Sequence, residues 1–144
     1  MTILCPLDFS AASSGLVAYA AALAVATGAE LRLLHVCEPS DDLAIAKRAW
    51  TADPMAGPEP CTEQMQSLRV AAEQAGAARV HTGIARGEAA LEIVAEASRQ
   101  QADLIVIGAH GRTGLTRFLM GTTAEIVLRT ARCATLLVRA PLVP

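Results

Sequence analysis

Residues 103–122 read DLIVIGAHGRTGLTRFLMGT. One acid introduces the most apolar run of the chain, residues 104–107, and a stretch punctuated by glycine follows at once. An apolar run that is continuous rather than alternating suits a strand whose sheet is covered by helices on both faces. In an open α/β sheet, the carboxyl end of such a strand is where ligands sit. The run is therefore read as a fourth, central strand, followed by a helix from about residue 123 to 131 and a fifth strand, Ala134–Val138.

Working outward toward the N-terminus, the same alternation repeats. Thr2–Leu7 is a buried strand bounded by Asp8 and Ser10, and Ser10 can cap a helix in which Leu16, Ala20, Leu23 and Thr27 recur at helical spacing. Gly28 supplies a left-handed stop. A second continuous run, residues 31–36, gives the next strand. Residues 38 to 60 break the pattern with Pro39, Pro54, Pro58, Pro60, Gly57 and the pair Asp41 and Asp42, and read as a long mobile loop with one helical turn around residues 44–50. Thr62 is placed as the cap of a helix whose stripe is Met65, Leu68, Ala72 and Ala75, ended by Gly76. Residues 79–85 form the third strand. Gly87 opens a helix with Leu91, Val94 and Ala97 inward and Glu88, Glu92 and Glu96 toward water. Parallel neighbours need crossover connections of about a dozen residues or more. Five such alternations therefore predict an α/β fold: a single domain over residues 1–144, a three-layer sandwich with a parallel sheet and helices on both faces. Asp8 and Gly108, at the ends of the first and fourth strands, mark the expected crevice.

Bulk properties narrow the function. The chain of 144 residues is 53% hydrophobic and 18% charged, which fits one well-cored domain and argues against disorder. A net charge of −2 and the absence of any Lys or Arg run leave no electrostatic footprint for nucleic acid. No stretch is apolar enough to span a membrane, and the chain opens on a strand-like run and an acid, so no membrane partner and a cytoplasmic location are expected. Cys5, Cys37, Cys61 and Cys133 lie far apart with no CxxC pair, so neither a zinc site nor a disulfide framework is expected.

The spacing of the glycines carries the chemistry. Two residues separate Gly108 from Gly111, nine separate Gly111 from Gly121, and Thr122 follows. Glycines keep side chains out of a ligand's path, so successive backbone N–H groups can converge on phosphate oxygens. The helix start at Gly121 and Thr122 favours negative charge. Thr122 and Glu125 also fit a capping box, which explains Thr122 without any ligand, and spacing alone leaves both readings open. Asp8 can accept hydrogen bonds from ribose hydroxyls or help hold Mg2+ or Mn2+; it can equally be a turn aspartate beside Ser10. Arg112 and Arg117 can neutralise phosphate charge or lie in solvent. His110 invites a role as a general base, but no residue to orient it is recognisable, and no catalytic residue is assigned. His35 and His81 fall in strands and are read as structural.

ILCPLDFS at residues 3 to 10, DLIVIGAHG at 103 to 111 and GTTAEIVLRTARCATLLVRAP at 121 to 141 resemble the universal stress protein family over essentially the whole chain. Its ATP-binding members carry the pattern GxxG, nine residues, G-S/T, which Gly108, Gly111, Gly121 and Thr122 match. The resemblance implies a five-stranded parallel sheet of order 3-2-1-4-5, like the adenine nucleotide alpha hydrolases, and a homodimer joined through Ala134–Val138. It implies an ATP, ADP or AMP site in which Pro6, Leu7 and Asp8 lie near the adenosine and Val36 near adenine. Ile107, Gly108, Gly111, Arg112, Gly121, Thr122, Thr123 and Ala124 complete that site. Leu7 stands where a smaller or β-branched residue is common. The function implied is that of a nucleotide-dependent stress-response sensor. The alternatives are a slow ATP hydrolase, though neither a GK[ST] loop nor an SGGxDS-like loop is present, or a ligand-free interaction protein of the same fold.

Overall fold

The computed structural model describes residues 1–37, 60–109 and 122–139. Five strands, β1 (Thr2–Leu7), β2 (Glu30–Cys37), β3 (Val80–Arg86), β4 (Leu104–Gly108) and β5 (Ala134–Val138), form one parallel sheet of order β3-β2-β1-β4-β5. Four helices are described, α1 (Ser13–Thr27), α2 (Pro60–Gln74), α3 (Ala89–Arg99) and α4 (Thr122–Thr130). The expected fold is thus the observed one. The middle strand of the five is β1, and β4 lies beside it as an inner strand.

Period-2 alternation along the strands divides the core in two. Ile3, Cys5, Leu7, Leu31, Leu33 and Val106 join Leu16, Val17, Ala20, Ala21 and Ala24 of α1 and Met65 and Ala72 of α2. On the other face, Leu4, Leu34, Val36, Ile105 and Ile107 meet Ala90, Ile93 and Ala97 of α3 and Ala124 and Val127 of α4. Three buried alanines on α1, with side chains that project only one carbon, let that helix lie close to the sheet. Complete burial pushes the Cys5 thiol up to about 12, so it stays protonated and acts as a small apolar filler.

Several local expectations are corrected. The first helix begins at Ser13, with Ala12 at its N-cap and no side-chain cap, so Ser10 does not cap it. Instead the Ser10 N–H donates to Asp8 Oδ1 at 2.9 Å and the Ser10 carbonyl accepts from the Ser13 N–H. The second helix already contains Pro60 and Cys61, so Thr62 lies inside it rather than at its cap. Ala75 falls beyond that helix and is exposed. In α3 the inward stripe is Ala90, Ile93 and Ala97, and Leu91 is 61% exposed, so the helix is turned by about one residue from the face expected. Glu92 and Glu96 are consequently half-buried. The stops were legible: Gly28 adopts φ 71° and Gly76 φ 109°, which L side chains rarely reach. The expected loop of residues 38 to 60, with its helical turn at 44–50, lies outside the described residues except for Pro60 in α2.

Glu96 accepts two hydrogen bonds from Arg99, at 2.6 and 3.2 Å, and one from Gln100 at 3.0 Å. The Arg99 hydrogen bond holds its carboxyl below the usual glutamate range, against the opposing effect of burial. A depressed folded pKa stabilises the protein above the unfolded value of about 4.3. That contribution is lost as pH falls through the lower folded value. Glu96→Gln is therefore expected to flatten the acid limb of the stability profile; equal slopes in wild type and variant between roughly pH 5 and 3 would refute this.

Candidate functional site

Strand order reverses between β1 and β4, because the chain runs outward to β2 and β3 and then returns across β1. At such a reversal the two flanking connections leave on opposite faces and open a crevice at the carboxyl ends. The register Ile3 with Leu104 and Leu4 with Ile105 brings both strands to that edge together, and carried forward it sets Gly108 level with Leu7, one step short of Asp8. Gly108 is also paired with Val138, and the Ala109 N–H donates to the Val138 carbonyl at 2.8 Å, which holds the β4 end in extended form.

The predicted residues divide between the two faces of this edge. Val36, Ile107 and Ala124 come together in a single apolar cluster beneath α3 and α4. Leu7 belongs to the opposite cluster, against α1, and Pro6 is buried within β1. Asp8 is half-buried, and its Oδ1 accepts from the Ser10 N–H and, at 3.4 Å, from Ser13 Oγ. The turn role weighed for Asp8 is thus present in the structure. Thr122 is exposed, Thr123 half-buried and Ala124 buried in the first turn of α4. Thr122 is the first described residue of α4, and Gly121 before it lies outside the described residues. Glu125 Oε1 accepts from Arg129 Nη2 at 2.8 Å, one turn down the helix. Gly111, Arg112 and Gly121, with His110 and Arg117, lie outside the described residues.

Sequence reasoning missed how the floor of the edge is built. Phe9 takes a left-handed conformation, φ 59°, costing about 1–2 kcal/mol for an L residue. Its ring stacks on His35 with centroids 4.1 Å apart and planes at 25°. His35 Nδ1 lies 2.8 Å from the Leu7 carbonyl oxygen. A carbonyl can only accept, so Nδ1 carries the hydrogen, and this bond ties the β2 end to the β1 end. The histidine is 2% exposed, consistent with the structural role expected for it, and His81 meets Glu30 at 2.8 Å on the surface. Cys61, at the start of α2, reaches the neighbourhood of His35 and Cys37, a grouping hidden in the sequence by the long connection between them.

Comparison with known proteins agrees with this architecture. A profile of the Universal stress protein family matches residues 1–139. A universal stress protein of Methanocaldococcus jannaschii is 34% identical over 96% of this chain and 82% of its own length. The solved structure of the hypothetical protein MJ0577 superposes with a TM-score of 0.79 and 26% identity, covering 96% of this chain and 94% of that one. A crystal structure of a universal stress protein in complex with cAMP gives 0.75 and 23% over 97% of both chains. No helix among the described residues is long and apolar enough to cross a membrane.

Proposed function

The chain belongs to the universal stress protein family, and on that premise we propose that it is an adenine-nucleotide-binding module whose ligand lies across the carboxyl ends of β1 and β4. The observation that carries this reading is the strand reversal, where β4 ends on Gly108 and the next described element, α4, starts with Thr122 and Thr123. The residues fit such a ligand. Gly108 has no side chain to obstruct an anion, and the first turn of α4 has backbone N–H groups without intrahelical partners. Val36, Ile107, Pro6 and Leu7, near the ends of β2, β4 and β1 at this edge, are the residues assigned to the adenosine, although their side chains are buried as the chain stands. Asp8 accepts from ribose hydroxyls or from the shell of Mg2+ or Mn2+. Gly111, Arg112 and Gly121 would complete the phosphate end.

ATP is the nucleotide proposed, with ADP or AMP as the same ligand shortened. Occupancy biases the conformation that a downstream partner reads, so the module acts as a sensor rather than a catalyst of fast turnover. The whole chain, residues 1–144, acts as one domain in the cytoplasm, where its thiols remain reduced. A homodimer through β5 is supported by that strand's edge position and its half-exposed Leu136, Leu137 and Val138. Mass spectrometry of small molecules released from purified protein, followed by titration with ATP, ADP, AMP and cAMP, tests the reading. An adenine nucleotide should be retained or bound. Protein that carries none and binds none at millimolar concentration would leave only the ligand-free interaction reading.

A further inference from the structure

On the α1 and α2 side of the sheet, one ring nitrogen of His35 and the Sγ atoms of Cys37 and Cys61 all lie within 4.8 Å of one another. The grouping follows from the fold. His35 and Cys37 are two apart on β2, so they share the face that carries Leu31 and Leu33, and α2, which begins at Pro60, covers that face. His35 and Cys37 are buried and Cys61 is half-buried, which leaves one side of the cluster open to solvent as an entry path.

We propose that His35, Cys37 and Cys61 form a binding site for a thiophilic cation, with Zn2+ as the ion whose preferences they match. Two thiolates and an imidazole are the soft and borderline donors that Zn2+ selects, and hard cations such as Mg2+ or Ca2+ need oxygen ligands instead. The hydrogen bond of the histidine decides which nitrogen can serve. Its Nδ1–H donates to the Leu7 carbonyl, which fixes the tautomer and leaves the Nε2 lone pair to coordinate, the arrangement usual for metal-bound histidine. The stack on Phe9 holds the ring plane. Zn–S and Zn–N bonds of about 2.3 and 2.0 Å place ligand atoms roughly 3.5–4 Å apart, so the cluster must contract by up to about 1 Å. Rotation of the half-buried Cys61 side chain supplies that. Three protein ligands leave a fourth position for water or an incoming group. Both thiols release their protons on binding. The bound ion would pin the start of α2 to the end of β2, next to Val36.

The test uses reduced, metal-stripped full-length protein titrated with Co2+ and then with Zn2+. One equivalent of Co2+ should give thiolate-to-cobalt charge-transfer absorption, and one equivalent of Zn2+ should abolish it. Cys61→Ser, at a half-buried helix start, should fold with an unchanged circular dichroism spectrum, lose the absorption and bind Zn2+ at least tenfold more weakly. Cys37→Ser should do the same, and Cys133→Ser should behave as wild type. The proposal is overturned if no charge-transfer band appears at one equivalent, or if the band survives in Cys61→Ser. It is equally overturned if Cys37 and Cys61 join in a disulfide on air oxidation while the reduced protein takes up no metal.

Discussion

Truncating Ile105 to alanine lowers the unfolding free energy by about 4 kcal/mol, toward the upper end of the range for buried isoleucine. Ile105 is fully buried on β4, an inner strand, with β1 and β5 on either side and α3 and α4 above it. Its neighbours Leu4, Leu34, Ile93 and Val127 are themselves held by the sheet ladder and by two helices, so the cavity cannot collapse. For a domain of this size the midpoint of thermal denaturation falls by roughly 10–15 °C. Urea denaturation followed by circular dichroism measures the change. A loss below about 1 kcal/mol would mean that this face of the core repacks freely, contrary to the close-packed cluster described above.

A second large effect is expected at the ligand edge: Gly108→Val reduces ATP affinity at least tenfold while leaving the fold intact. Gly108 is not among the described glycines with positive φ, so its backbone is one that a valine adopts without strain. It is also the last residue of a strand, a setting in which β-branched residues are favoured. The variant therefore separates binding from stability. Its side chain stands where the proposed phosphate chain must approach the main chain, and a blocked approach removes several charge-assisted hydrogen bonds together. Gly111→Val with Gly121→Val should act in the same direction. Calorimetric titration of wild type and variants, with melting curves as the control for folding, gives the answer. Equal affinities would defeat the assignment of the ligand to this edge.

The legible parts of the fold were those written in continuous runs of one residue class. β1 and β5 were read to the residue because Thr2–Leu7 and Ala134–Val138 are apolar runs with sharp borders, and Gly28 and Gly76 announce their turns through the φ they require. The rotation of α3 was not legible, because Ala90, Ile93 and Ala97 compete with Leu91, Val94 and Ala97 for the same 3.6-residue period and only the docked helix decides between them. Helix starts shifted for a related reason. Ser10 and Thr62 have the chemistry of caps, but Asp8 organises the first turn and the second helix already holds Pro60 and Cys61 ahead of Thr62. The metal-ligand grouping was invisible because linear spacing reveals clusters within one loop or helix, whereas this one is assembled by a strand and a helix docking face to face.

The two rims of the sheet differ in a way that bears on how many molecules can join. At β3 the exposed positions are His81, Thr82, Ile84 and Arg86, and the three polar or charged ones discourage another strand from adding there. At β5 no residue is charged, Ala134 is exposed, and Thr135, Leu136, Leu137 and Val138 are half-buried. In the proposed dimer the β5 rim would be used up by one twofold pairing, and the polar β3 rim would disfavour a further copy.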